Sequence, residues 1–229
     1  MTALLEQSEP VEGDESGESS NSVKPRLRGW IHFGAFCVTL TLSGFLVSSS
    51  TSRGEAWAMA IYALGLAIMF GTSALLHLVT WGPKGRRRMR RADHSTIFLG
   101  IAGSYTAIGA VGLSGTNLSI LLLLAWGGAV VGITIRQLFI DAPKWANAIP
   151  YVVVGWSAMF FVGPLISSLG VVGFLGILAG GLAYTAGALF YAAKRPNLVP
   201  GTFGYHELFH ALTVVGAGLH MAVVWTALH

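Results

Sequence analysis

His206-Glu207-Leu208-Phe209-His210 sets two imidazoles four residues apart. On a helix that spacing stacks them one turn apart on one face, close enough to share a single metal ion. The string also reads H-E-x-x-H, the zinc helix of many metalloproteases, in which the glutamate is the general base. Three further polar residues could join this pair. His77 would supply a third imidazole, and three neutral histidines with one open position are the donor set of a catalytic zinc site rather than a closed structural one. Asp93 would orient or deprotonate water at the metal. Ser73, one turn before His77 on the same face, would hydrogen-bond to the groups around the site.

The elements that must position these residues are membrane helices. The 229 residues are 53% hydrophobic and 10% charged, with mean hydropathy +0.65. Soluble domains carry about 25% charged residues, so an ordinary soluble domain is excluded. About 20 apolar residues span a bilayer as a helix. Seven runs meet that length: Trp30–Ser49, Glu55–Trp81, Asp93–Leu113, Thr116–Leu138, Ile149–Ser167, Gly170–Ala193 and Tyr205–Leu228. The fold class expected is therefore all-α, a polytopic membrane domain over 30–229. Residues 1–29 form a separate regime, with Glu6, Glu9, Glu12, Asp14, Glu15 and Glu18 among serines and glycines. That composition buries no core and predicts a disordered cytoplasmic tail. It lacks the basic-then-apolar pattern of a signal peptide.

Charge placement orients the chain. Across seven spans, one side holds Lys24, Arg26 and Arg28, the run Lys84 to Arg91, Arg136 with Lys144, and Lys194 with Arg195; Arg53 alone of the 14 Lys and Arg falls on the other. By the positive-inside rule the N-terminus is cytoplasmic, the C-terminus is outside, and the chain resides in the cell membrane. Trp30, Trp81 and Trp145 then mark the inner interface, and Trp57 and Trp225 the outer. The same reasoning makes GPKGRRRMRR an inner loop facing anionic head groups, so membrane lipids are the expected partners and nucleic acid is not.

With this orientation Ser73 and His77 end span 2, Asp93 and His94 begin span 3, and His206, Glu207 and His210 begin span 7. All fall within roughly 10 Å of the inner interface at 1.5 Å per residue. Ionisable groups at membrane depth are costly and mark function, and their sharing one layer favours a metal site. Taken singly, His77 would be an interfacial histidine, Asp93 a helix cap, and Glu207 a partner of the helix dipole. His94 should point away from Asp93 and has no assigned role. His220, roughly 15 Å further along span 7, is too distant for the same ion and reads as a hydrogen-bonding residue within or between helices. His32 and His229 read as interfacial and terminal, and Cys37 as a small buried hydrophobe. The span 6 glycines Gly173, Gly176, Gly180, Gly181 and Gly187 predict close helix packing, with a dimer face as the weaker reading. Pro150 suits the first turn of span 5.

Three blocks carry a family resemblance: S-A-L-L-H (Ser73–His77), A-D-H-S-T-I-F-L-G-I-A-G-S-Y-T (Ala92–Thr106), and F-G-Y-H-E-L-F-H (Phe203–His210) with G-A-G-L-H after it (Gly216–His220). In this order they resemble the hemolysin III branch of the progestin and adipoQ receptor family, over roughly residues 28–229. The resemblance implies seven helices with the N-terminus inside and zinc held near the inner side by His77, His206 and His210. It also implies that Asp93 contacts zinc-associated water and that Ser73 is the family's recurrent serine. The receptor branch is linked to ceramide amide hydrolysis, and the wider superfamily is viewed as membrane metal-dependent hydrolases. The bacterial branch takes its name from haemolytic activity. This chain departs at Leu76, where an aromatic is common, at Ala92, where leucine is, and at Ala107, where proline is. None of these removes a ligand.

The leading expectation is thus a zinc-dependent membrane hydrolase of a lipid-like amide or ester, with Asp93 as the base. The alternative is a receptor, pore-forming or cytolytic protein in which zinc only staples helices. An intramembrane protease using Glu207 and a bis-histidine haem site are weaker readings.

Overall fold

The computed structural model describes residues 25–139 and 143–229. Among them are seven α-helices: α1 (Trp30–Ser48), α2 (Arg53–Leu78), α3 (Pro83–Gly112), α4 (Gly115–Leu138), α5 (Lys144–Gly155), α6 (Val162–Ala193) and α7 (Tyr205–Leu228). A 3-10 turn, Ser157–Phe161, joins α5 to α6, and no β-strand occurs among the described residues. Residues 1–24 of the expected acidic tail lie outside the described residues, while 25–29 form a turn that leads into α1.

Six stretches are long and apolar enough to cross a membrane, one being the 46-residue Ala148–Ala193. The expected spans Ile149–Ser167 and Gly170–Ala193 both fall inside that stretch. Gly170 interrupts it with φ 71° and ψ 172°, a left-handed geometry that a residue with a Cβ rarely adopts. Large apolar side chains face outward along the bundle, among them Leu123, Phe160, Val172 and Leu189. Hydrocarbon is the solvent that makes such a surface favourable. Trp30, Trp57 and Trp225 stand exposed near helix ends, as expected of interfacial indoles.

Local signals explain most boundaries. Ser52 caps α2: its hydroxyl accepts from the Glu55 backbone N–H, and the Glu55 carboxylate accepts from Ser52 N–H, a reciprocal capping box. Helix α3 begins ten residues before the expected start at Asp93, because Pro83 fits the first helical position and Arg and Lys are good helix formers. The arginine run is therefore helix, not loop, and Asp93 lies inside α3 rather than capping it. Likewise α5 starts at Lys144, which puts Pro150 within the helix instead of in its first turn.

The centre of the bundle is the α2–α3 pair. Gly65 packs against the Leu99 carbonyl and Gly103 against the Tyr62 backbone; at Gly65 an added Cβ would lie 2.7 Å from that oxygen. Around this seam lie Met59, Tyr62, Leu66 and Phe70 of α2 with Phe98, Ala102 and Ile108 of α3, all buried. Helix α1 packs on α2 and α7, and α6 runs along α7. The α6 glycines do pack closely: Gly176 meets Val223, Gly180 meets the His220 ring, and Gly187 meets Phe209 and Leu212. Gly181 meets nothing within 4 Å. Cys37 is exposed rather than buried, because α1 is peripheral and directs only His32, Ala35, Thr39 and Leu46 inward.

Candidate metal centre

The last turn of α2 meets the first two turns of α7. The Nε2 atoms of His77 and His206 are 3.2 Å apart, and ligand nitrogens of His77, His206 and His210 all lie within 4.8 Å of one another. The ring centroids of His206 lie 4.7 Å from those of both His77 and His210. Three imidazoles turned toward one point, with His210 buried, can hold a metal ion. Nitrogens converging on a point suit a single ion better than two rings flanking a haem plane.

Ser73 of α2 is buried one turn before His77, and its hydroxyl lies beside the carboxyl of half-buried Asp93 on α3. The helices are held in register beside them by a 2.8 Å hydrogen bond between the Thr72 and Thr96 hydroxyls. Asp93 is electrostatically coupled to Tyr191 of α6, whose ring centroid lies 5.4 Å from that of His206.

Glu207 has a different environment from the histidines that bracket it. It is 1% exposed; Arg28 Nε donates to its Oε1 at 2.7 Å, and the Gly204 backbone N–H donates to its Oε2 at 2.9 Å. Both carboxylate oxygens are engaged in an ion pair and in capping α7. A protease-like base would need them free, so the H-E-x-x-H string here encloses a glutamate already engaged in an ion pair and a helix cap.

The partner of Glu207 comes from the segment before α1. Arg26 N–H donates to the Gly201 carbonyl at 3.2 Å, and Arg28 reaches Glu207 two residues on. Gly29 then adopts φ 89° and lies against the end of α2, where an added Cβ would be 2.9 Å from His77 Cβ. Helix α1 delivers His32, which is buried instead of interfacial. Its ring stacks on that of His210 at 3.9 Å between centroids and 4° between planes.

On the other flank, Arg136 is buried in α4 rather than placed in a loop. It contacts His94 Nδ1 and donates to the Phe139 carbonyl at 3.3 Å. Tyr151 O–H donates to the His94 carbonyl at 3.1 Å, and Gln137 donates to Ser95 at 2.9 Å. His94 therefore serves the α3–α4–α5 packing. His220 is a hydrogen-bonding residue between helices, its Nε2 3.1 Å from the Ile177 carbonyl of α6.

Sequence reasoning brought together His77, His206 and His210, which the structure gathers; it set Ser73 and Asp93 in the same layer without pairing them. It missed Arg28, His32, Arg136 and Tyr191. The available signal for His32 was an imidazole two residues into an apolar run, and for Arg136 a lone guanidinium at the end of one.

The family described as Haemolysin-III related matches residues 20–221. Hemolysin-3 of Bacillus cereus is 33% identical over 76% of this chain and 78% of its own length. The Hemolysin-3 homolog of Bacillus subtilis (strain 168) is 30% identical over 76% and 79%. The human Monocyte to macrophage differentiation factor is 25% identical over 74% and 69%.

Proposed function

The chain belongs to the haemolysin III-related family of membrane proteins, and we propose that its three-histidine centre holds zinc and hydrolyses a lipid-like amide or ester. The observation that carries this reading is the convergence of His77, His206 and His210, with Asp93 of α3 beside Ser73, one turn before His77 on α2. Neutral imidazoles fit zinc, and three of them leave a coordination position for a reacting group. Zinc in such a site supplies Lewis acidity toward a carbonyl oxygen and acidifies water.

The protein's own groups do the rest. Asp93 accepts the proton of the attacking water and passes it to the leaving nitrogen or oxygen. The Ser73 hydroxyl, beside the Asp93 carboxyl, orients it. Tyr191 packs its ring edge-on against that of His206 and limits the motion of that imidazole. Glu207 takes no part in proton transfer, because Arg28 and the α7 N-terminus occupy its oxygens.

The same reading includes the topology. At 1.5 Å per residue, 46 residues extend about 70 Å, more than twice the ~30 Å hydrocarbon core, so Ala148–Ala193 crosses twice and turns back at Gly170. That gives seven crossings of the cell membrane with the N-terminus inside and the metal centre in the inner half. Residues 1–29 up to the docked turn form the cytoplasmic tail, and a lipid-like substrate enters from the surrounding membrane.

A second reading is favoured by one observation: His77 and the His206/His210 pair sit on different helices, so an ion there would also staple α2 to α7. Elemental analysis together with turnover separates the two. Detergent-purified chain is expected to hold about one zinc and to cleave at least one member of a ceramide and lysolipid panel. Zinc without cleavage of any of them would leave the stapling role, in a receptor or lytic protein.

A further inference from the structure

His32 is 3% exposed and its ring lies flat on that of His210, with Phe70 against it at 5.1 Å between centroids. Neither ring nitrogen has a hydrogen-bond partner among the described residues; the His210 backbone lies beside the ring but outside hydrogen-bonding geometry. His32 is not one of the three residues whose nitrogens gather within 4.8 Å, so it is not a further ligand in this arrangement. Stacking and filling alone would be served better by a phenyl ring, which has no polar atoms to strip of water. An imidazole kept dry and unpaired beside a metal-binding cluster bears the cost of an unmade hydrogen bond.

We infer that His32 contacts the molecule bound at the three-histidine centre, giving a ring nitrogen to an anionic or carbonyl oxygen, or an equivalent polar atom, held next to His210. The stack fixes where that nitrogen can be. A ring parallel to His210 and displaced by 3.9 Å directs its nitrogens within its own plane, so the polar atom it meets stands out of the His210 ring plane, on the His32 side of the cluster. His32 thereby selects ligands with a polar atom on that side of the cluster. The inference rests on the metal reading, but not on hydrolysis.

The test uses the full chain in detergent, loaded with cobalt(II), with azide as the probe and visible absorption as the readout. His32→Phe is expected to keep about one cobalt per chain and a normal melting temperature, while azide binds about tenfold or more weakly, the loss of one charge-assisted hydrogen bond. His32→Gln, which keeps a donor, is expected to recover part of that loss. Unchanged azide affinity in His32→Phe would overturn the inference and leave His32 as packing. Loss of cobalt from both variants would overturn it too, making His32 a prop for the His210 ring. A parent chain that takes up no cobalt brings down the metal reading and this inference together. Weakened azide binding with no lipid turned over sustains the inference and removes only the hydrolase reading.

Discussion

Helix α7 carries histidines into two settings. At its N-terminal end His206 and His210 turn their nitrogens toward His77. Further along, His220 presents Nε2 to the Ile177 carbonyl, with Gly180 pressed against the ring and Tyr184 5.6 Å from it. All three lie on an apolar helix, and His210 and His220 are both buried. What differs is the partner. A backbone carbonyl fixes a histidine within a helix pair, whereas imidazoles set nitrogen to nitrogen, as His77 and His206 are at 3.2 Å, present lone pairs that a metal ion can accept. Burial alone does not identify a functional histidine; the nature of its neighbour does.

The largest expected contrast follows directly. His210→Ala should weaken zinc binding by more than about 100-fold, since even outer-sphere partners of metal ligands typically cost 10–100-fold. His220→Ala should leave the zinc content of purified protein unchanged. Elemental analysis of the two variants side by side checks this, and equal loss in both would dissolve the contrast. Asp93→Ala should then separate binding from chemistry: zinc retained, turnover reduced about 10²- to 10⁴-fold, the range for a lost general base. Zinc loss in that variant would make Asp93 a ligand instead.

Glu207→Ala tests the glutamate enclosed between His206 and His210. It leaves Arg28 buried without its carboxylate, so a destabilisation of about 3–5 kcal/mol is expected in thermal or denaturant melting. The molecules that remain folded should still bind zinc. Normal stability with abolished turnover would restore the protease-like role. The smallest effect belongs to the His220 side. Gly180→Ala puts a Cβ 2.4 Å from the His220 ring and should cost about 1–3 kcal/mol by overpacking, with zinc content untouched. A change in zinc would mean that the two ends of α7 are coupled.

How much of this was legible in the sequence depends on what hydropathy measures. It reports depth, so the helical class and the common layer of Ser73, His77, Asp93, His206 and His210 could be read from residue counting. It does not report which way a helix faces. His32 and Cys37 lie on the same apolar run, yet one is buried on His210 and the other is exposed. Arg28 looked like one more inner-side charge until the turn at Gly29 carried it onto Glu207. Asp93 was expected to open its helix but lies inside it, because an arginine run resembles a loop by hydropathy while being a good helix former. The contacts that were missed all join segments far apart in the chain, and no local pattern encodes them.

The outward-facing Cys37 offers a measuring device that needs no mutagenesis. It is the chain's sole thiol, and it follows His32 by five residues, about 7.5 Å along the axis of α1. A nitroxide attached there would lie on the bundle's outer surface, a short and fixed distance from the histidine cluster. Magnetic relaxation of that spin label by a paramagnetic ion would then report, from outside the protein, whether and where the centre is filled.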